Sequence, residues 1–303
     1  MYDIIVAGAG PAGLTAAIYG VRGGKSLLML EEKMYGGQIV YASDVENYPG
    51  TGTISGADLV TAMYKQATDL GAKLTYAKLQ SLEKRGDHFV LTDAQGASYE
   101  AAVVIGATGV KPRMLGLEGE ERLTGSGLSF CANCDGAFYK GKTVAVMGGG
   151  NTALEDADYL AALAKKVYLV HRRTEFRGES AGVEKLRKRP NVEFVLNTVP
   201  VKLLGETAVE GVIVRSHSGE ERTLAVSGIF VAYGMIPQNE IFASLAELDE
   251  NGYICADEDG ATKTPGLFAA GDCRRKKRRQ LVTATADGAT AAMAAIEYLN
   301  AFS

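Results

Sequence analysis

Cys131 and Cys134 stand in the run Ser129-Phe130-Cys131-Ala132-Asn133-Cys134-Asp135-Gly136. Two thiols at this spacing close a small ring and reopen it at little strain, and one can stabilise the other's thiolate, as a dithiol relay requires. Asp135 adjoins the pair. The competing chemistry is half of a zinc site, which needs two further ligands. Cys255 and Cys273 stand alone, and His88, His171 and His217 form no ligand spacing with the pair, so no metal is expected.

Two glycine turns carry a second kind of chemistry. Gly8-Ala9-Gly10-Pro11-Ala12-Gly13 fits G-x-G-x-x-G, and Gly148-Gly149-Gly150-Asn151-Thr152-Ala153 fits G-x-G-x-x-A. In such a turn the first glycine makes the bend, the second lets a pyrophosphate touch the backbone, and the third position lets helix pack on strand. The helix N-terminus then stabilises the phosphate charge. The bland alternative for either is a mere tight turn. Twenty-three residues beyond Gly8 comes Glu31, placed to accept ribose hydroxyls; the same step from Gly148 reaches His171, followed by Arg172, Arg173 and Arg177. An acid at this position holds a free 2′-hydroxyl, whereas arginine accommodates a 2′-phosphate, so the second turn is expected to prefer NADPH. A solvated basic face is the alternative.

The surrounding pattern supplies the scaffold. Strands are predicted over residues 3–7 and 26–30 with a helix over 14–21 between them, and again over 143–147 and 167–170 with a helix over 154–164. Two dinucleotide units suggest one bound prosthetic group and one diffusible cofactor, and the electron-moving pair is FAD with NADPH. Leu267-Phe268-Ala269-Ala270-Gly271-Asp272 reads as a strand turning at Gly271, with Asp272 placed for a ribityl hydroxyl, followed by an Ala-rich helix over 284–299. This piece has no partner of its own and should return to the first domain. The expected fold is α/β: two Rossmann-like three-layer domains, the second inserted into the first. Residues 1–110 and 239–303 form the FAD domain, and residues 111–238 the NADPH domain carrying the cysteines.

Composition agrees. Length suits two domains, and 32 Lys+Arg against 36 Asp+Glu gives net charge -4, which asks for neither nucleic acid nor an acidic membrane. Glycine is 37 of 303 residues, above the usual ~7%, as backbone-approach sites require. The uncharged stretch 4–21 follows an aspartate and contains Gly8, Gly10, Pro11 and Gly13, so it suits neither a signal nor a membrane helix. A reducing, cytoplasmic setting is expected from the cysteine usage.

These residues together resemble the low-molecular-weight thioredoxin reductases over nearly the whole chain. The likeness rests on the two glycine turns, Gly36-Gly37-Gln38, Glu46-Asn47-Tyr48-Pro49-Gly50, Ala107-Thr108-Gly109, the cysteine run, His171-Arg172-Arg173 with Arg177, Gly271-Asp272 and Arg279-Gln280. It implies that Asn47, Asp272 and Gln280 contact FAD, with Gly37, Gln38, Ala107, Thr108, Gly109 and Arg279 also among the cofactor residues. Arg172, Arg173 and Arg177 would hold the NADPH phosphate, and Asp135 would protonate a leaving thiolate. It further implies hydride transfer from NADPH to the flavin, reduction of the cysteine disulfide through Cys134, and attack of Cys131 on thioredoxin. A homodimer is implied too, as is domain rotation about linkers at 109–113 and 234–237. Rival readings within the fold are a ferredoxin-driven thioredoxin reductase or a flavin dithiol oxidase, against which the arginine cluster argues. Outside it stands a flavin redox sensor. The basic run 274–279 and Cys273 depart from the family's usual loop. The run looks like a nuclear signal or nucleic-acid patch, but in a chain of net charge -4 it is expected to be a loop near the flavin that docks an acidic partner.

Overall fold

Ile4, Ile5, Val6 and Ala7 have no exposed surface, because β1 (Tyr2–Ala7) is covered on both faces. Consecutive buried residues of this kind mark the interior of a parallel sheet, since a half-solvated strand would alternate. In the computed structural model, which describes residues 1–42 and 44–301, β1 leads into α1 (Pro11–Arg22), β2 (Leu27–Glu31), α2 (Gly56–Asp69) and β3 (Lys73–Tyr76). Then come β4 (Leu79–Arg85), β5 (His88–Asp93) and β6 (Ser98–Gly106), giving the sheet order β3-β2-β1-β6-β5-β4. β1 pairs in parallel with both β2 and β6, while β5 is antiparallel to β4 and β6. Ile4 and Val6 pack with Leu14, Ala17 and Leu59 of the helices; Ile5 and Ala7 pack with Leu82, Phe89 and Phe242 on the other face. The two-residue period of the strand thus serves two cores at once.

Next in order are β7 (Val110–Pro112), α3 (Glu120–Leu123), β8 (Leu128–Ser129), α4 (Ala132–Asp135), β9 (Thr143–Met147) and α5 (Asn151–Ala161). They are followed by β10 (Lys166–Val170), α6 (Ser180–Arg187), β11 (Val192–Val195), β12 (Thr198–Leu204), β13 (Gly211–Ser216), β14 (Glu221–Ala225), β15 (Gly228–Val231) and β16 (Met235–Pro237). A parallel sheet β11-β10-β9-β15-β8 forms the middle layer, and β12-β13-β14 is a separate antiparallel sheet. Val144 and Val146 face Leu154 and Leu160 of α5, whereas Ala145 and Met147 face Val212 and Leu224. Helices cover one side and the small sheet the other.

The last segment brings β17 (Leu267–Ala269) and α7 (Leu281–Ala301). β6 pairs with β5 along Ser98–Ala101 and with β17 along Val104–Gly106, so its long edge serves both. α7 packs closely on α1 because of Gly288: a Cβ there would lie 2.1 Å from the Ala12 carbonyl oxygen. The chain therefore divides into two compact units, Met1–Lys111 with Ile236–Ser303, and Pro112–Met235. It passes between them within β7 and β16, which pair with each other. The crossings were expected at 110/111 and 238/239.

The strands begin within a residue of their sequence-predicted positions, but the helices start earlier: α1 at Pro11 rather than residue 14, α5 at Asn151 rather than 154, α7 at Leu281 rather than 284. Proline is preorganised for the first helical position and loses no hydrogen bond there. Gly13 stays within the helix because space leaves no alternative. The uncharged stretch 4–21 is split between β1 and α1, and no helix among the described residues is long and apolar enough to cross a membrane.

Candidate active site

The first unit builds its glycine turn by close approach. Gly8 has φ +111°, and a Cβ on it would lie 2.3 Å from the Ala107 oxygen; one on Gly13 would lie 2.0 Å from the Gly8 oxygen. Gly10 differs: the nearest atom to its Cβ position is Gly37 Cα at 3.9 Å, leaving its backbone open. Pro11 and the buried Ala12 start α1 directly behind it. Glu31 Oε2 accepts from the Ala9 N–H at 2.8 Å and Oε1 from Lys33 N–H at 3.1 Å, which fixes the carboxylate beside the turn. Gly36 N–H donates to Ala9 O (2.7 Å), placing Gly37 (φ +62°) against Gly10, and Gln38 Nε2 donates to Val110 O at 2.6 Å.

Other expected cofactor residues gather around the same sheet end. Ala107 N–H donates to Ala7 O (2.8 Å), and Thr108 Oγ1 donates to Asn239 Oδ1 (3.1 Å) just before Gly109 (φ +65°). Asn47 is exposed. Gly271 (φ +79°) turns against Ala12, and its N–H donates to Asp287 Oδ2 at 3.0 Å. Asp272 Oδ1 is buried without a hydrogen-bond partner, with Lys276 Nζ 3.7 Å away, and burial pushes its carboxyl above the usual range against the opposing charges of Lys276 and Arg279. Arg279 Nε donates to the Asp272 carbonyl (3.2 Å), and the Gln280 N–H donates to Thr283 Oγ1 (3.1 Å) at the start of α7. An open glycine, a clamped carboxylate and a buried carboxyl oxygen lacking a donor fit a dinucleotide with a polyhydroxyl linker.

Asn239 and Asp287 carry no local motif, yet both organise this site. Asn239 is buried and its Nδ2 donates to the carbonyls of Gly252 (2.9 Å) and Cys273 (2.8 Å), tying Thr108 to two distant segments. Asp287 holds Gly271, Arg274 and Lys276 together. Its only signal is that it is an acid within an Ala-rich stretch.

The second unit repeats the turn. A Cβ on Gly148 would lie 2.7 Å from Ala232 O and 2.8 Å from the Ala153 methyl, whereas Gly150 has nothing within 4 Å. Gly148 N–H donates to Val170 O as Gly8 N–H does to Leu30 O. Arg177 N–H donates to Gly149 O (2.8 Å), and Asn151 Oδ1 accepts from Glu179 N–H (2.7 Å), stitching the 177–179 segment to the turn; Asn151 and Thr152 are exposed. Arg172, Arg173 and Arg177 are all exposed, and among the described residues none has an acidic side chain within 4.0 Å. His171 is set apart from the three arginines. Its buried ring lies under Gly149, stacks on Phe176 at 5.0 Å and meets Glu175 O at 3.1 Å, and burial, with the arginines' charge, pulls its pKa down.

Cys131 and Cys134 form a disulfide at the start of α4, with Cα atoms 5.3 Å apart. Cys131 is partly buried and Cys134 exposed. The buried Ser129 links this pair to its acid: Ser129 Oγ donates to Asp135 Oδ2 (2.6 Å), and the Cys131 N–H lies 3.1 Å from Ser129 Oγ. Burial pushes the Asp135 carboxyl above its ordinary pKa, with the Ser129 bond opposing. A carboxyl whose affinity for a proton is raised, hydrogen-bonded to the serine two residues before Cys131, is suited to pass a proton to a leaving thiolate. Gly136 lets α4 sit on α5, since a Cβ would lie 2.8 Å from the Tyr159 ring. Among the described residues no group of three or more His, Cys, Asp or Glu side chains converges as a metal site.

Asp156, on the buried face of α5, is pushed up to about 7 by burial and then by Glu155. Between pH 3.8 and about 7 the unfolded chain is ionised here while the native chain holds the proton, so stability falls as pH rises through that window. Asp156→Asn should remove the penalty. Its stabilisation over the parent in urea titrations should grow by on the order of 3 kcal/mol from pH 5 to pH 8. A pH-independent difference would contradict the assignment.

The chain matches the pyridine nucleotide-disulphide oxidoreductase family model over residues 2–288. It is 41% identical to a thioredoxin reductase of Listeria innocua over 304 aligned residues, covering 99% of this chain and 94% of that protein. The crystal structure of thioredoxin reductase from Streptococcus pyogenes superposes with TM-score 0.96 at 39% identity, covering 100% of this chain and 99% of the other. Thioredoxin reductase from Giardia duodenalis gives TM-score 0.92 at 34% identity, with 99% of each chain covered.

Proposed function

Because this chain belongs to the thioredoxin reductases of the pyridine nucleotide-disulphide oxidoreductase family, we propose that it uses NADPH to reduce the disulfide of thioredoxin or a thioredoxin-like protein through FAD and Cys131–Cys134. The observation that carries this reading is the Cys131–Cys134 disulfide, linked through Ser129 to Asp135, in the same unit as a glycine turn flanked by three exposed arginines. FAD, when bound, accepts two electrons from a nicotinamide and gives them to a disulfide.

The residues that would hold FAD are the Gly10 backbone, Glu31 at ribose hydroxyls and Asp272 at the polyhydroxyl chain, with Gly37, Gln38, Asn47, Thr108, Arg279 and Gln280 around them. The nicotinamide dinucleotide would lie over Gly150, Asn151 and Thr152, with its 2′-phosphate on Arg172, Arg173 and Arg177. In the reduced pair, the Cys131 thiolate attacks one sulfur of the partner's disulfide, and the other partner sulfur leaves and takes a proton from Asp135. Cys134 then gives its proton to the Asp135 carboxylate and attacks the Cys131 sulfur of the mixed disulfide, restoring the Cys131–Cys134 bond. The second partner sulfur leaves and takes up that proton, so a dithiol partner is released. Two electrons have moved from the pair to the partner. Each crossing between units is preceded by a left-handed glycine, Gly109 (φ +65°) and Gly234 (φ +98°), with nothing within 4 Å of a Cβ; these support the pivots that a rotating pair of units needs. The same reading carries a homodimer and a cytoplasmic setting.

Anaerobic NADPH added to the FAD-loaded protein should bleach the flavin absorbance within seconds, expose alkylatable thiols at Cys131 and Cys134, and drive thioredoxin reduction, with NADH much less effective. Bleaching without new thiols would reject the dithiol step. No bleaching would reject the cofactor pairing.

A further inference from the structure

The fold sorts the six basic residues of the run 274–279 into two sets. Arg274 Nε lies 3.1 Å from Asp287 Oδ2, and Lys276 Nζ lies 2.8 Å from the same oxygen, its side chain only 9% exposed. Arg279 donates to the Asp272 carbonyl, and its guanidinium carbon sits 3.9 Å from the Tyr253 ring centroid. These three cations are consumed inside the unit. Arg275, Lys277 and Arg278 are exposed and have no ion-pair partner among the described residues.

Their backbone is fixed on both sides. Arg275 N–H donates to Ile254 O (2.8 Å), Arg274 forms a bridge with Ile254, and Ala284 N–H donates to Gln280 O (2.9 Å) as α7 begins. The loop thus runs into the positive end of a 21-residue helix. Arg274 NH1 donates to Asp257 O at 2.7 Å, so the exposed Asp257, Glu258 and Asp259 border the loop on one side. Three displayed cations beside three anions give the surface a direction, which a protein face of complementary charge can read as an orientation.

We propose that Arg275, Lys277 and Arg278 are the electrostatic docking point for an acidic face of the oxidised thioredoxin-like substrate; this rests on the reading of the protein as a thioredoxin reductase. Nucleic acid fits the surface less well. Binding to a phosphate backbone usually draws on six to ten contacts, roughly, and here three cations are bounded by carboxylates on a chain of net charge -4. A brief encounter steered by a few charges is what a turnover partner needs, since it must also leave.

The test uses the FAD-loaded protein, a purified oxidised thioredoxin of net negative charge, and the triple variant Arg275→Glu, Lys277→Glu, Arg278→Glu. The variant should lower kcat/KM for thioredoxin at least tenfold at low salt, through KM, while kcat at saturation and NADPH bleaching of the flavin stay unchanged. The parent's kcat/KM should fall with added salt, and that fall should vanish or reverse in the variant. Fluorescence anisotropy with labelled thioredoxin should show the same loss of binding, and Arg275→Lys with Arg278→Lys should retain it. Normal bleaching with unchanged kcat/KM and salt dependence would overturn the docking point and leave the reductase reading intact. Absent bleaching would reject that reading, and anisotropy would still decide the docking point: unchanged or absent thioredoxin binding overturns it. A parent that retards a labelled DNA or RNA duplex at physiological salt, with retardation lost in the variant and thioredoxin binding unaltered, would overturn it in favour of nucleic acid.

Discussion

Cys134→Ser, once reduced, should form a stable covalent complex with a single-cysteine thioredoxin activated as a mixed disulfide with a coloured aromatic thiol, and Cys131→Ser should not. Both variants should lose NADPH-dependent thioredoxin reduction by a factor of about a thousand or more, since a two-electron dithiol relay needs both sulfurs. Attack by Cys131 on the activated disulfide expels one coloured thiolate per complex, and with no second thiol the new bond has nothing to resolve it. Intact-mass measurement should then show enzyme plus thioredoxin, in proportion to the absorbance released. The experiment separates two physical arguments. By exposure the more accessible residue is Cys134, with Cys131 partly buried beside Ser129. By resemblance the attacking sulfur is Cys131, which requires the disulfide to open and present it. A complex formed only by Cys131→Ser would exchange the roles, and no complex from either variant would reject direct exchange with the partner.

Both glycine turns were legible because part of the constraint is local: a Cβ on Gly13 would strike the Gly8 oxygen and one on Gly148 the Ala153 methyl. The Ala107 and Ala232 oxygens that crowd Gly8 and Gly148 come from distant segments that neither turn reveals. The arrangement of β1 and β9 in parallel sheets was legible for a similar reason, since a fully buried strand leaves an unbroken apolar run. Polar groups paired across long separations were not. Asn239 meets Thr108 across 131 residues, and Asp287 meets Gly271 across 16, with no periodicity to announce either. Ser129 lay in plain view beside the cysteines, but its bond to Asp135 depends on α4 turning the acid back. Spacing placed His171 at the head of the arginine run without showing that it is buried, and charge counting read 274–279 as one basic patch. Burial separates these groups: desolvation lowers the proton affinity of His171, and Asp287 neutralises two of the six cations.

Arg172→Ala with Arg173→Ala should raise KM for NADPH at least tenfold while KM for NADH changes by less than about twofold. Each charge-assisted contact to a phosphate is worth roughly 1.5–3 kcal/mol, and the exposure of both side chains argues for the lower end, since water and salt screen them. Even that lower end, summed over two contacts, exceeds the tenfold mark. Neither arginine has a carboxylate to release among the described residues, so truncation should free no buried charge and disturb little else. Arg177 stays in place, because its backbone rather than its side chain is tied to Gly149, and should preserve part of the preference. Raising the ionic strength should narrow the difference between parent and variant for NADPH and leave the NADH values nearly level. Equal losses for the two nucleotides would instead mean that the turn itself had shifted, through the Arg173 carbonyl that accepts from Asn197. An unchanged KM for NADPH would remove the phosphate from this cluster altogether.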